Sequence, residues 1–288
     1  VCICVPIIVF QFCKGKEFFS KEYWGYALRI GIPIVPHYLS GIILNQGDRI
    51  MIDKMVGKTE VALYGLAYSI GMLVQLFISG MNSALTPWMY SKIKKGDIRS
   101  MRKVLQLLSV VVVGIAVALM LISPELVLIF GSPKYREAVY VIPPVAASVF
   151  FIFIYNILSM PQFYYEKTQF LMAASMAAAG ANVVLNFIFI RLFGYIAAGY
   201  TTLACYMLYS VGHYIVSKRI LVNEGIQENL MNPGFLLACS VFLIGASIIC
   251  NLIFPYRILR YAILLASAGL VFWKKELLLK TMADIRKK

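Results

Sequence analysis

Eight apolar runs, each long enough to cross a lipid bilayer, follow one another along this chain with only short polar gaps between them. They lie near 24–53, 60–90, 100–122, 136–162, 168–190, 195–217, 233–254 and 256–273. A helix spans a hydrocarbon core with roughly 20 apolar residues. In lipid, every backbone polar group must be satisfied within the spanning structure. The chain is therefore expected to be all-α, a polytopic transmembrane helix bundle with about eight complete spans. Several runs exceed 25 residues, which predicts tilt or extension beyond the bilayer. Composition agrees: 61% of the 288 residues are hydrophobic and 14% are charged, whereas a soluble domain carries about 25% charged residues.

A net charge of +14 raises the question of nucleic acid. The basic residues sit in the gaps between apolar runs, not on one face with aromatics among them, and this excludes a nucleic-acid partner. One set of alternate gaps holds Lys14, Lys16 and Lys21, the cluster from Lys92 to Lys103, Lys167, Lys218 and Arg219, and six residues after Trp273. That set totals 18, against 7 in the opposite set. The bias predicts that the first set and the C-terminus are cytoplasmic.

The first apolar run, Val1 to Cys13, is too short to span, and residues 1–13 are read as the remnant of a truncated transmembrane helix. Cys2, Cys4, Cys13, Cys205, Cys239 and Cys250 lie in or beside apolar runs with no metal-binding spacing, so free thiols are expected.

Within a membrane, helices associate through small residues and polar side chains. Ala173 to Ala181 is such a small-residue stripe. Pro33, Pro36, Pro87, Pro143, Pro144 and Pro161 fall inside spans, and each removes a backbone donor and is expected to bend its helix. The first span concentrates the most unusual chemistry. Ionisable groups at membrane depth are costly and mark cavities or partners. Arg29, His37, Asn45 and, on the next span, Gln75 are the candidate cavity residues for substrate binding. Pro33, Asp48 and Arg49 are read as structural, with Asp48 pairing to a neighbouring helix near the outer end. Asn82, Asn156, Asn182, Asn186 and His213 are expected mostly to make interhelical hydrogen bonds.

Catalytic constellations are missing. The sequence has no DDxxD pair, nucleophile elbow, HExxH or glycine-rich phosphate loop. The expectation is a protein that is not an enzyme, with no catalytic residue, cofactor or metal.

Gly31-Ile-Pro33 followed by Asp48-Arg49-Ile-Met-Ile-Asp-Lys-Met-Val-Gly57 resembles the seventh helix of bacterial polysaccharide flippases. Val61-Ala-Leu-Tyr64-Gly-Leu-Ala-Tyr68 and Thr86-Pro-Trp88 resemble the start and end of the next helix. Tyr135-Arg-Glu-Ala138 with Ile142-Pro143, then Asn182-Val-Val-Leu-Asn186 with Gly194-Tyr-Ile-Ala-Ala-Gly199, follow in the family's order. The family more often has Gly-Ala-Ala where this chain has Tyr195-Ile-Ala-Ala-Gly199, a departure that bears on packing. These proteins belong to the multidrug/oligosaccharidyl-lipid/polysaccharide exporter superfamily.

The resemblance implies the C-terminal lobe of a two-lobed transporter. Residues 14–222 would form a six-helix lobe, and residues 223–288 two additional transmembrane helices with a basic cytoplasmic tail. It implies a flippase that moves polyprenyl-pyrophosphate-linked oligosaccharide to the outer leaflet for O-antigen, capsule or exopolysaccharide biosynthesis, by alternating access. Its partners would be that lipid-linked glycan, membrane lipids and the missing N-terminal lobe of the same protein. Arg29 suits a diphosphate-bearing substrate. A drug/cation antiporter of the same superfamily would want acids in the bundle centre. A polytopic glycosyltransferase or glycan polymerase would want a large outer loop or catalytic acids, and the gap from Pro124 to Arg136 is short. A purely structural scaffold would leave the polar residues of the spans unexplained.

Overall fold

The computed structural model describes residues 4–15 and 19–273. Lys16 and the basic tail from Lys274 to Lys288, counted in the charge bias above, lie outside the described residues, as do residues 1–3 of the expected helix remnant. Ten α-helices and one 3-10 helix make up the described residues, with no strand among them. They are α1 (Cys4–Gly15), α2 (Lys21–Met55), α3 (Lys58–Gly71), α4 (Leu73–Lys94), α5 (Ile98–Phe130), α6 (Ile142–Tyr164), α7 (Thr168–Phe193), α8 (Ile196–Asn223), α9 (Pro233–Ile253) and α10 (Arg257–Trp273). The fold is an all-α polytopic bundle.

Six helical stretches are long and apolar enough to cross a membrane: α2, α3 with α4, α5, α6, α7 and α9. The two other expected spans are helices as well, but of different character. In α8, Thr201, Thr202, Ser210, His213 and Ser217 dilute the apolar run and are buried against the bundle. α10 has 17 residues and begins with Arg257 and Arg260 in its first turn.

α6 is the axis of the assembly. Its sequence is apolar nearly all round, the pattern of a helix enclosed by others, and Phe150 and Phe153 are fully buried. It packs against α3, α4, α5, α7, α8 and α9. α2 lies outside this group and packs mainly on α7, leaving Ile32, Val35, Tyr38, Leu39 and Ile42 exposed. α9 packs on α5 and α6, and α10 on α5 and α9. The small-residue stripe is split along its length. Ala178 and Ala179 are buried, while Ala173, Ala177 and Gly180 face outward.

Pro33 and Pro36 lie inside α2, which runs unbroken for 35 residues. The second span holds two helices, α3 and α4, that meet at Met72 and together form one stretch long and apolar enough to cross a membrane. A Cβ on Gly71 would come within 2.6 Å of Val145 on α6, so α3 passes close to α6 at a residue without a side chain. The gap from Pro124 to Arg136 is largely helical, since α5 continues through Pro124 to Phe130 and a 3-10 helix (Pro133–Tyr140) follows. α6 accordingly begins at Ile142, not near 136.

Polar contacts tie the ends of the bundle. Asp97 caps α5 by accepting from the Ser100 amide, and its carboxylate takes the Lys92 ammonium at 2.5 Å. Arg102 Nε donates to the Asn229 carbonyl at 2.7 Å, and Arg99 pairs with Glu228. The α4–α5 and α8–α9 connections therefore share one end, both drawn from the more basic set of gaps. At the other end Arg260 clamps Glu125 through two N–H bonds of 2.8 Å and also donates to the Leu121 carbonyl. Cys13, Cys205, Cys239 and Cys250 are free thiols; Cys2 lies outside the described residues.

Candidate functional site

α2, α6 and α8 enclose a cleft of about 450 Å³. α2 contributes His37, Tyr38 and Asn45, α6 contributes Tyr155, Asn156 and Ser159, and α8 contributes Tyr206 and Tyr209. On α8 the tyrosines recur at the three-residue spacing that places side chains on one helix face. Tyr155 lies between the two: its ring centroid is 4.5 Å from that of Tyr209 and 6.3 Å from that of Tyr206, nearly parallel to the latter. Tyr209 Oη is 3.0 Å from His37 Nδ1. Among the described residues, no carboxylate, lysine or arginine lines the cleft. Such a wall offers flat apolar ring faces with hydroxyl, amide and imidazole groups at their margins, which suits a polar surface such as that of a glycan.

Behind the cleft, and joined to it, is a buried carboxylate. Tyr68 Oη donates to the Asn45 side-chain oxygen at 2.7 Å, while Asn45 Nδ2 is held by the Gly41 carbonyl of its own helix. One turn beyond Asn45, Asp48 is fully buried. Tyr64 of α3 and Thr202 of α8 donate to its Oδ2 at 2.5 and 2.6 Å, and Asn186 of α7 donates to Oδ1 at 2.5 Å. Asn186 also donates to Asn182, and its own oxygen accepts the Thr201 hydroxyl. Four helices thus converge on one carboxylate, and every donor is neutral. Burial of an ion without partners would be prohibitive, and hydrogen bonds of this number are what make it tolerable.

The remaining candidates are scattered. Arg29 is exposed on α2, eight residues before His37 and about 80° round the helix, and it does not line the cleft. Gln75 lies on α4, away from the cleft, with its side-chain oxygen buried. Pro33 is buried within the unbroken α2. Arg49 turns away from Asp48. Its guanidinium stands 5.2 Å from the Tyr68 ring centroid and donates to Gln46. His213 is fully buried, with its Nδ1 at 2.7 Å from Gln162 Nε2. Asn156 bonds to the Ile152 carbonyl of its own helix, not across helices.

Sequence reasoning missed the four cleft tyrosines and the hydroxyls of Tyr64, Thr201 and Thr202. The one available signal was spacing, since Tyr206, Tyr209 and His213 follow a single helical face. Nothing local says that Tyr155, some fifty residues earlier, meets them.

Residues 2–94 match the family described as polysaccharide biosynthesis protein. That match covers the N-terminal third of the chain. Two relatives from Haemophilus influenzae extend the likeness: a protein of the Lsg locus, 28% identical over 173 residues, and an uncharacterized membrane protein, 29% identical over 167. The alignments cover 56% and 54% of this chain and 42% and 40% of the relatives, so the chain spans less than half the length of the curated relatives it matches. No solved structure matches the chain. The matched segment contains α2 with His37, Asn45 and Asp48, and α3 with Tyr64 and Tyr68.

Proposed function

We propose that this chain is the C-terminal lobe of a flippase that moves a polyprenyl-pyrophosphate-linked oligosaccharide across the bacterial cytoplasmic membrane. The whole protein would serve surface polysaccharide biosynthesis as a transporter, not an enzyme. Residues 14–222 form the lobe, residues 223–288 add two helices and a basic tail, and the C-terminus is cytoplasmic. The exposed face of α2 meets an N-terminal lobe, and the two lobes rock about the glycan to open alternately to each leaflet. Among the expected cavity residues, His37 and Asn45 act in the cleft. Arg29 acts nearer the cytoplasmic mouth, where a diphosphate enters.

What carries this reading is the cleft wall of four tyrosines, two asparagines and a histidine, with no acid among the described residues. A glycan presents C–H faces to aromatic rings and hydroxyls to amides, and this wall matches both. A drug/cation antiporter would put its acid where the cation binds. Here the nearby acid, Asp48, stands behind the wall with both oxygens engaged by neutral donors.

The test is movement of a fluorescent polyprenyl-pyrophosphate oligosaccharide between leaflets of liposomes holding the full-length protein. Protein-dependent movement is expected. No movement, together with proton- or sodium-driven uptake of cationic dyes, transfers the chain to the antiporter reading.

A further inference from the structure

His37 is the one residue lining the tyrosine cleft, among those described, that can become a cation near neutral pH. Its surroundings suit either ring state. Tyr209 Oη, 3.0 Å from Nδ1, can donate to a bare nitrogen or accept from a protonated one, because a phenol does both. Tyr38 of its own helix and Phe163 of α6 pack their rings beside it, at 5.5 and 6.5 Å between centroids.

The other titratable groups around it do not compete for this role. Tyr155 on α6 contributes a phenol, and α6 holds no charged side chain. α7, packed along α2, has Arg191 in its last turn as its charged residue. On α8, His213 lies across the Tyr209 ring at 4.5 Å between centroids. It is fully buried, however, and accepts at Nδ1 from a Gln162 amide that also donates to the Leu158 carbonyl. Lys218 and Arg219 come later on α8, towards its end. Asp48, three turns further along α2, is enclosed by its own donors.

A pyrophosphate diester keeps its negative charge throughout the neutral range. An anion entering a cleft with no fixed cation needs a counter-charge, since unpaired charge at membrane depth is expensive. Without the anion, the same cost favours the neutral imidazole. The arriving anion tips that balance.

We propose that the cleft binds its diphosphate ligand together with one proton, taken from water onto the His37 imidazole. This rests on the lipid-linked glycan reading and adds a proton as an obligatory co-ligand. Binding therefore draws protons from solution, and release returns them on whichever side the cleft then faces.

The experiment is titration calorimetry of the full-length protein in lipid nanodiscs, with a short-chain prenyl pyrophosphate diester of a hexose as probe. Such a diester has no titrating group near neutrality, so any proton uptake belongs to the protein. Run in two buffers of different ionisation enthalpy, the heats should differ by the uptake of about one proton. Affinity should rise as pH falls through the histidine range, by at most about tenfold per pH unit. His37→Gln should abolish both effects. Tyr209→Phe, which keeps the ring but removes the hydroxyl that accepts from a protonated nitrogen, should move the pH dependence to lower pH. Heats independent of buffer with affinity independent of pH overturn the proposal and leave the glycan reading standing. Proton uptake that persists in H37Q overturns the assignment to His37. Absence of binding at every pH overturns both readings.

Discussion

Asn186 donates its side-chain amide to Asp48 Oδ1 at 2.5 Å, across 138 residues of sequence. The contact fixes α7 against α2, and the same carboxylate draws in α3 through Tyr64 and α8 through Thr202. Asp48→Leu would leave the Tyr64 and Thr202 hydroxyls buried without an acceptor and take from Asn186 one of its two, at about 1–3 kcal/mol for each orphaned group. Loss of several degrees in thermal midpoint in detergent is expected, with low folded yield. Asp48→Asn keeps one acceptor and should fall between Leu and the parent. A leucine variant as stable as the parent would show that the four-helix junction does not depend on this residue.

At Gly71, α3 passes within 2.6 Å of Val145, measured to the Cβ that an alanine would add. Gly71→Ala should cost about 1–3 kcal/mol by overpacking. Val145→Ala in the same chain should recover part of that loss, because the two changes share one contact. Additive losses in thermal stability would show that the two positions do not share a contact.

Arg260 joins α10 to α5 by a two-pronged bond to Glu125, with Tyr261 also donating to Glu125 at 3.0 Å. Arg260 is almost fully buried, and removing one partner strands the other. Glu125→Gln or Arg260→Met alone should destabilise by about 2–5 kcal/mol. The double variant should be less affected than the sum of the two. Protease sensitivity of the α9–α10 segment in the single variants is the readout. If cleavage is unchanged, the clamp does not hold the last helix in place.

Tyr38 is exposed on α2 at the cleft edge, so it can be replaced without disturbing the core. Tyr38→Ala should cut glycan transport by roughly tenfold, the loss of one ring contact of about 1 kcal/mol or slightly more, with folded protein unchanged. Transport equal to the parent would remove this ring from the glycan site.

Arg29→Ala tests the proposed cytoplasmic mouth. Arg29 lies roughly 12 Å along the axis from the start of α2 and makes no cleft contact, so folding should be untouched. Reduced flipping at constant protein level is expected. Unchanged flipping takes Arg29 out of the mechanism.

The sequence by itself determined the solvent, the fold class and the approximate course of the helices. Each of these follows from hydrophobic run length and the need to satisfy the backbone inside lipid, and both are local properties. It also marked Asn45 and His37 on one helix, and Asn182 and Asn186 on another, because polar residues in apolar runs are conspicuous wherever they point. Tertiary structure alone decided what those residues do. Helix angles brought Tyr155 of α6 against Tyr206 and Tyr209 of α8, and turned Asp48 towards three neighbours while its successor Arg49 faced the Tyr68 ring. The close approach of α3 to α6 is of the same kind. Gly71 is unremarkable in sequence, and Val145, more than seventy residues later, occupies the space its side chain would need. Contacts of this sort depend on which helices lie side by side, and hydropathy, being a sum along the chain, carries no record of that.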